Sequence, residues 1–250
     1  MDVQGTKRRM RNYAGIMDDT FDKIIDQKLE LVKERKSSSS GDLLDIILDP
    51  SHENGAELPR QEIKALLKDL LMASTNTISA TVEWTLAELL HNPSKMRKAQ
   101  QELSDIIGKN QPIEESDIVR LPYLQAILKE TLRLHPPAPF LLPHKAELDV
   151  KIHDPTIWAK PTSFRPERFL DSKTDYKGQH FEFIPFGSGR RICAGLALAH
   201  KMTPLVIGLL LQSFDWKLEN EMKPEDMDME DGSGFSLVKA TGLRVIPIKI

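Results

Sequence analysis

The stretch PFGSGRRICAG, residues 185–195, constrains the fold more than any other part of the sequence. It contains Cys193, the only cysteine among 250 residues, set among three glycines and two arginines. Free cysteines mostly behave as small buried hydrophobes, but a Gly-Ser-Gly-Arg-Arg run is a poor piece of hydrophobic core. We therefore interpret the segment as a tight turn that presents a functional thiol.

The surroundings of Cys193 indicate two possible chemistries. A helix is predicted to begin just after it, so unpaired backbone N–H groups would face the sulfur and favour the thiolate. The glycines allow a large flat ligand to approach the backbone, and Arg191 offers a bidentate partner for a carboxylate. A thiolate beside such an arginine suits iron ligation in a haem site. The alternative, a nucleophilic cysteine, needs a histidine base, and His180 and His200 are near in sequence but lie in no recognisable protease signature.

Composition excludes several other classes. Hydrophobic residues make up 40% and charged residues 28% of the chain, which is typical of a soluble globular protein. A net charge of -3 gives no electrostatic case for nucleic acid or an anionic membrane as the main partner. One cysteine excludes an internal disulfide, a zinc site of several thiolates and Cys-x-x-Cys-His haem attachment. No secretory signal is visible in the first twenty residues.

Hydrophobic periodicity predicts a mainly α chain with minor β structure. The predicted helices are 13–36, a short one capped by Asp42 and ending near Leu48, 59–91, 95–107, a turn at 116–119, 123–134, and one from Cys193 to about Phe214 that Pro204 kinks. Residues 136–169 are irregular and proline-rich, and strand-like runs occupy 235–238 and 243–248. Charged residues interrupt the apolar stretch 66–90, which favours a buried core helix over a transmembrane one.

Residues 186–195 match every fixed position of the Phe-x-x-Gly-x-Arg-x-Cys-x-Gly signature of cytochrome P-450 enzymes. Three further landmarks follow the order of that family. Glu130 and Arg133 resemble its Glu-x-x-Arg helix, residues 164–169 resemble its Pro-Glu-Arg-Phe element, and residues 73–77 resemble the oxygen-activating notch of its long central helix. The chain thus resembles a cytochrome P-450.

The resemblance implies a role for each matching residue. Cys193 would ligate the haem iron, and Thr77 and Asn76 would handle oxygen and protons. The residues implied in haem binding are Phe186, Gly187, Gly189, Arg191, Gly195 and His144. Glu130, Arg133 and Arg168 would form a structural network that holds the cysteine loop against the helices.

The sequence departs from the family pattern within the central helix. Ser74 stands where the family usually has glycine, Ile78 where it has threonine or serine, and Asn76 where it has an acid. An asparagine side chain cannot take up and release a proton as a carboxylate does. We therefore expect proton delivery to be weakened or rerouted.

The likeness covers only the C-terminal half of the cytochrome P-450 fold: the long central helix, the Glu-x-x-Arg helix, and the cysteine loop followed by a helix. We expect residues 1–250 to form one partial domain, with a helical part at 1–135 and an irregular part at 136–250 that holds the haem-ligand loop, the final helix and short strands. After Ile152 the sequence resumes well downstream in the family pattern, which indicates an internal deletion. The alternative function is therefore a truncated, inactive fragment with weak or no haem binding.

Residues 82–90, 121–126 and 135–139 resemble plant microsomal members, in particular the group with geraniol-type monoterpenoid hydroxylases. The resemblance implies hydroxylation of a small apolar, terpenoid-like substrate with O2 and electrons from an NADPH-dependent flavoprotein reductase. It also implies the cytosolic face of the endoplasmic reticulum, with membrane association only through an N-terminal anchor that we expect this chain to lack. Residues 140–142 are either an apolar substrate-contacting loop or plain core.

Overall fold

The computed structural model of the chain describes residues 5–34, 41–48, 58–108, 111–141, 157–232, 234 and 236–250. These residues divide into two compact units, Met1–Ala73 and Ser74–Ile250. The first unit contains α1 (Thr6–Glu34), α2 (Leu43–Leu48) and the beginning of α3 (Arg60–His91). Asp42 caps α2 as predicted, because its carboxylate accepts the N–H of Asp45 at 2.9 Å.

Ion pairs join α1 to the first turns of α3 within the first unit. The Asp22 carboxylate accepts hydrogen bonds from Arg60 at 2.6 Å and from Lys64 at 2.9 Å. These two donors hold the pKa of Asp22 below its usual value. Lys68 pairs with Asp18 at 2.5 Å, one turn further along α3 and one turn earlier on α1. Acidic residues on one side of α1 therefore face basic residues on α3.

The second unit holds the remaining helices and two small antiparallel sheets. Its further helices are α4 (Pro93–Ile106), α5 (Pro122–Leu134) and α6 (Leu196–Ser213). Strands β1 (Phe214–Leu218) and β4 (Val245–Lys249) pair with Trp216 opposite Pro247, and β2 (Asp231–Gly232) pairs with β3 (Val238–Lys239). Short 3-10 turns lie at Glu115–Arg120, Pro166–Phe169, Gly189–Arg191, Glu219–Glu221 and Pro224–Asp226. The prediction of a mainly α chain with minor β structure is confirmed.

Helix α5 lies at the centre of the second unit's hydrophobic core. Leu124 and Ile127 are almost fully buried on it, beside Leu103 of α4 and Leu211 of α6. Gly208 allows α6 to pack closely against Ile113, since a β-carbon at Gly208 would stand 2.6 Å from a methyl group of that residue. The core therefore depends on α5 contributing a large apolar face.

The prediction of a buried core helix at 66–90 is correct only for its second part. Trp84 and Leu89 are 0% exposed, whereas Leu71 and Met72 are 50% and 59% exposed. Both parts carry apolar residues at helical spacing, and that spacing alone does not say which part is covered. In the described residues, the elements of the second unit cover α3 from Ala80 onwards.

Replacing Ile127 by alanine removes a fully buried side chain from the centre of this core. We expect the free energy of unfolding in urea to fall by about 3 kcal/mol, from lost apolar burial and the remaining cavity. Ile157→Ala is the matched control, since Ile157 is 50% exposed and should change stability by less than about 0.5 kcal/mol. Equal losses in the two variants would contradict this description of the core.

Candidate functional site

Residues 186–195, which we call the cysteine turn, are closed by backbone hydrogen bonds. The N–H of Cys193 donates to the carbonyl of Phe186 at 2.9 Å, and the N–H of Gly187 donates to Ile184 at 2.9 Å. Gly187 and Gly189 have φ angles of +75° and +64°, which side chains with a β-carbon rarely adopt. The glycines predicted to form a tight turn therefore adopt the backbone that such a turn needs.

The thiol of Cys193 is exposed immediately before α6. A β-carbon at Gly195 would lie 3.7 Å from Sγ, in ordinary van der Waals contact with the sulfur. Arg191 is also exposed in the same turn. Within the described ranges, no three His, Cys, Asp or Glu side chains gather as metal ligands. An exposed sulfur donor and an exposed arginine in one turn would fit haem, which takes a protein ligand at its iron.

Glu130 is a fully buried carboxylate surrounded by donors. Arg133 donates to its two oxygens at 2.7 and 3.1 Å, and Arg168 donates to Oε1 at 2.9 Å. The backbone N–H of Arg165 donates to the same oxygen at 2.7 Å. Glu130, Arg133 and Arg168 therefore lie together, and the network attaches α5 directly to residues 165–168.

Aromatic side chains continue from this network towards the cysteine turn. Trp158 lies over the guanidinium groups of Arg133 and Arg168, at 5.4 and 5.7 Å from its ring. Phe183 is 6.5 Å from Trp158, and Tyr176 lies between Phe183 and Phe186, at 6.1 and 5.4 Å. Phe186 opens the cysteine turn, so the network reaches it through packed rings.

Three residues near the cysteine turn were not predicted from the sequence: Trp158, Tyr176 and Gly178. Gly178 has a φ of +81°, and a β-carbon there would stand 3.0 Å from the Cα of Ser188. A Lys-Gly pair after Tyr176 was the one local signal for a close turn, whereas no sequence pattern marks the two aromatic residues as neighbours of the turn.

Thr77 and Asn76 lie on the polar segment of α3, with Thr77 half-buried and Asn76 exposed. Hydroxyl groups on this segment bond back to the helix: Ser79 donates to the carbonyl of Thr75 at 2.7 Å, and Thr81 donates to that of Thr77 at 2.8 Å. Side-chain hydroxyls therefore compete for backbone carbonyls on this segment.

A cavity of about 690 Å³ lies between α3 and α6. Ile78 and Val82 of α3 line it together with Leu198 and Met202 of α6. Trp216 of β1 also lines the cavity. Neither Thr77 nor Cys193 is among its lining residues. The cavity thus lies between α3, which carries Thr77, and α6, which follows Cys193, but neither of those two side chains lines it.

Two predictions fall outside the described residues. His144 and the break after Ile152 both fall within 142–156, which the described residues do not include. Leu142 lies there too, while Phe140 is 91% exposed. The haem contact of His144 stays a prediction.

A family profile described as Cytochrome P450 matches residues 1–154 and 151–243. The chain belongs to the cytochrome P-450 family. This P-450 chain is similar to geraniol 8-hydroxylase of Catharanthus roseus, with 44% identity over 99% of the chain and 54% of the relative. It is 43% identical to geraniol 8-hydroxylase of Swertia mussotii, covering 98% of the chain and 53% of that enzyme. The chain spans about half the length of the curated relatives it matches.

Solved structures support the same P-450 fold. A zebra fish cytochrome P450 determined with progesterone superimposes with a TM-score of 0.77 and 29% identity, covering 99% of this chain and 60% of that chain. A zebra fish cytochrome P450 with abiraterone gives a TM-score of 0.74 at 28% identity, covering 100% of this chain and 66% of that one. The described helices therefore form a partial P-450 fold.

The two profile matches meet at residues 151–154, next to the predicted break after Ile152. The alignment with the Catharanthus enzyme spans 266 positions, more than the 250 residues of this P-450 chain. The relative therefore has residues at positions where this chain has none, in agreement with an internal deletion.

Replacing Glu130 by glutamine removes the charge that both arginines share. We expect the free energy of unfolding to fall by about 3 kcal/mol or more, because Arg133 and Arg168 keep buried charges without a counterion. The matched control is Glu115→Gln, which breaks an exposed pair with Lys201 and should cost about 0–1 kcal/mol. A similar loss in both variants would contradict a special role for the buried carboxylate.

Proposed function

We propose that this chain forms the part of a haem-thiolate monooxygenase that contains the cysteine ligand. The enzyme would hydroxylate a small apolar, terpenoid-like substrate. The observation that carries the proposal is the exposed Cys193 in a glycine turn at the start of α6. Family membership gives that turn its chemical meaning. The names of the relatives support the substrate class, since geraniol 8-hydroxylase of two plants is among them.

The residues of the turn would divide the work of holding haem. Cys193 would supply the thiolate ligand of the iron. Arg191 would bind a carboxylate of the haem edge through its planar guanidinium. Phe186, Gly187, Gly189 and Gly195 would provide the close approach, and His144 a further polar contact. The bound haem would supply oxygen activation at its iron.

Thr77 and Asn76, both on α3, would bind water and transfer protons during the reaction. The Thr77 hydroxyl is able to hold a water molecule and to pass a proton, because it both donates and accepts hydrogen bonds. The Asn76 amide orients such a water but does not ionise. Proton delivery in this chain would therefore depend on Thr77 and water more than on the residue before it.

The proposed partners follow from the same membership. Two electrons per turnover would come from an NADPH-dependent flavoprotein reductase, and O2 is the co-substrate. The implied location is the cytosolic face of the endoplasmic reticulum. These assignments concern a complete enzyme, and this chain spans about half of such relatives.

The spectrum of the reduced, carbon-monoxide-bound protein tests the proposal directly. We expect the chain expressed with a haem supply to show the red-shifted Soret band of thiolate ligation, and Cys193→Ser to lose it. Ser188→Ala, in the same turn, is the control that should retain the band.

Failure to take up haem would instead favour the inactive-fragment alternative. Rapid alkylation of Cys193 at neutral pH together with hydrolase activity would favour a nucleophilic cysteine. In that case the band would be absent from both the original chain and Ser188→Ala.

Asn76→Asp tests the proton-handling assignment. An aspartate at this position can take up and release a proton, so we expect product formed per NADPH consumed to rise, on the order of tenfold. Asn12→Asp, on the exposed surface of α1, should leave this ratio unchanged. An equal ratio in the original chain and Asn76→Asp would contradict the role proposed for residue 76.

A further inference from the structure

Tyr176 is a buried residue that contacts both sides of the cysteine turn. It is 4% exposed, and its ring lies 5.4 Å from Phe186 and 5.8 Å from His200. Its hydroxyl is hydrogen-bonded to Nδ1 of His200. One side chain therefore joins a residue seven positions before the thiol to another seven positions after it.

The two contacts of Tyr176 lie on the elements that hold Cys193. The carbonyl of Phe186 accepts the N–H of Cys193 at 2.9 Å, which closes the turn. His200 lies on α6, whose first residue, Leu196, donates its N–H to the carbonyl of Cys193 at 3.2 Å. Movement of either element would move the sulfur.

The backbone after Tyr176 also lies against the turn. A β-carbon on Gly178 would stand 3.0 Å from the Cα of Ser188 and 3.2 Å from the carbonyl oxygen of Gly187. Glycine is therefore required for residues 176–178 to pack directly on the turn.

The Tyr176 hydroxyl and Nδ1 of His200 share one hydrogen bond, whose direction depends on the tautomer of the imidazole. Burial raises the pKa of Tyr176 well above its usual value, so the hydroxyl keeps its proton. In either tautomer the bond fixes the orientation of the His200 ring.

We propose that Tyr176 is a positioning residue for Cys193, whose ring supports Phe186 and whose hydroxyl holds His200 on α6. The bridge gives the turn and the helix one relative placement and so presents the sulfur in one direction. The purpose of this placement, ligation of haem, rests on the proposed function. The bridge itself is made entirely by residues of this chain.

Tyr176→Phe tests the proposal in the full chain without haem, because it keeps the ring and removes the hydroxyl. We expect amide hydrogen exchange at Cys193 to become about tenfold faster, the effect of losing one partly buried hydrogen bond. The nitrogen chemical shift of His200 Nδ1 should change as well, because that atom loses its hydrogen-bond partner. Exchange at Ile127, in the core of α5, should stay unchanged.

Tyr123→Phe is the matched control. Tyr123 is also buried, and its hydroxyl donates to Glu167 at 3.1 Å, away from the cysteine turn. It should leave both the Cys193 exchange rate and the His200 Nδ1 chemical shift as they are. His200→Phe removes the other partner of the bond instead, and combining it with Tyr176→Phe should add no further acceleration.

A haem-loaded sample gives a second readout. At equal haem content, Tyr176→Phe should show a smaller share of thiolate-type Soret band after reduction and carbon monoxide binding. Unchanged Cys193 exchange in Tyr176→Phe would overturn the proposal. If the original chain takes up no haem while the exchange effect is present, the proposed function fails and the positioning role stands.

Discussion

The arrangement of the second unit depends on one buried negative charge. A carboxylate without solvent is costly unless it is fully paired, and Glu130 meets that condition through Arg133, Arg168 and a backbone N–H of residue 165. Since the donors come from α5 and from residues 165–168, only one placement of this loop on the helix pairs all three charges. Such a network contributes less to net stability than to the choice of a single geometry.

A second polar junction lies at the C-terminal end of α5, beside the first. His135 ends the helix, and its Nε2 lies 2.9 Å from a carboxylate oxygen of Glu88 on α3. The same ring stacks on Trp84 with 3.7 Å between centroids, and Lys239 of β3 lies 4.7 Å over the indole. The C-terminal end of α5 is thus attached both to α3 and to the loop before the cysteine turn. The apolar face of the preceding turns of α5 fills the core.

The sequence predicted those features that local patterns encode. Helices α3 and α5 follow from periodicity and flanking prolines, and the spacing of Glu130 and Arg133 places both on one helix face. Arg168 could be assigned to this pair only through the family motif, because the contact spans 38 positions. Strand β1 was not predicted, since Phe214–Leu218 becomes a strand only by pairing with Val245–Lys249. Tyr176 and Trp158 were missed for the same reason: tertiary packing, and no nearby sequence signal, gives them their roles.

The solitary thiol also sets how this chain responds to oxidants. Cys193 is exposed, and the 250 residues contain no second cysteine. A sulfenic acid formed there has no resolving partner within the chain, so its rescue requires an external thiol such as glutathione. Without one, oxidation proceeds to the irreversible sulfinic and sulfonic acids. Oxidation would therefore remove the thiolate that the proposed iron ligation requires.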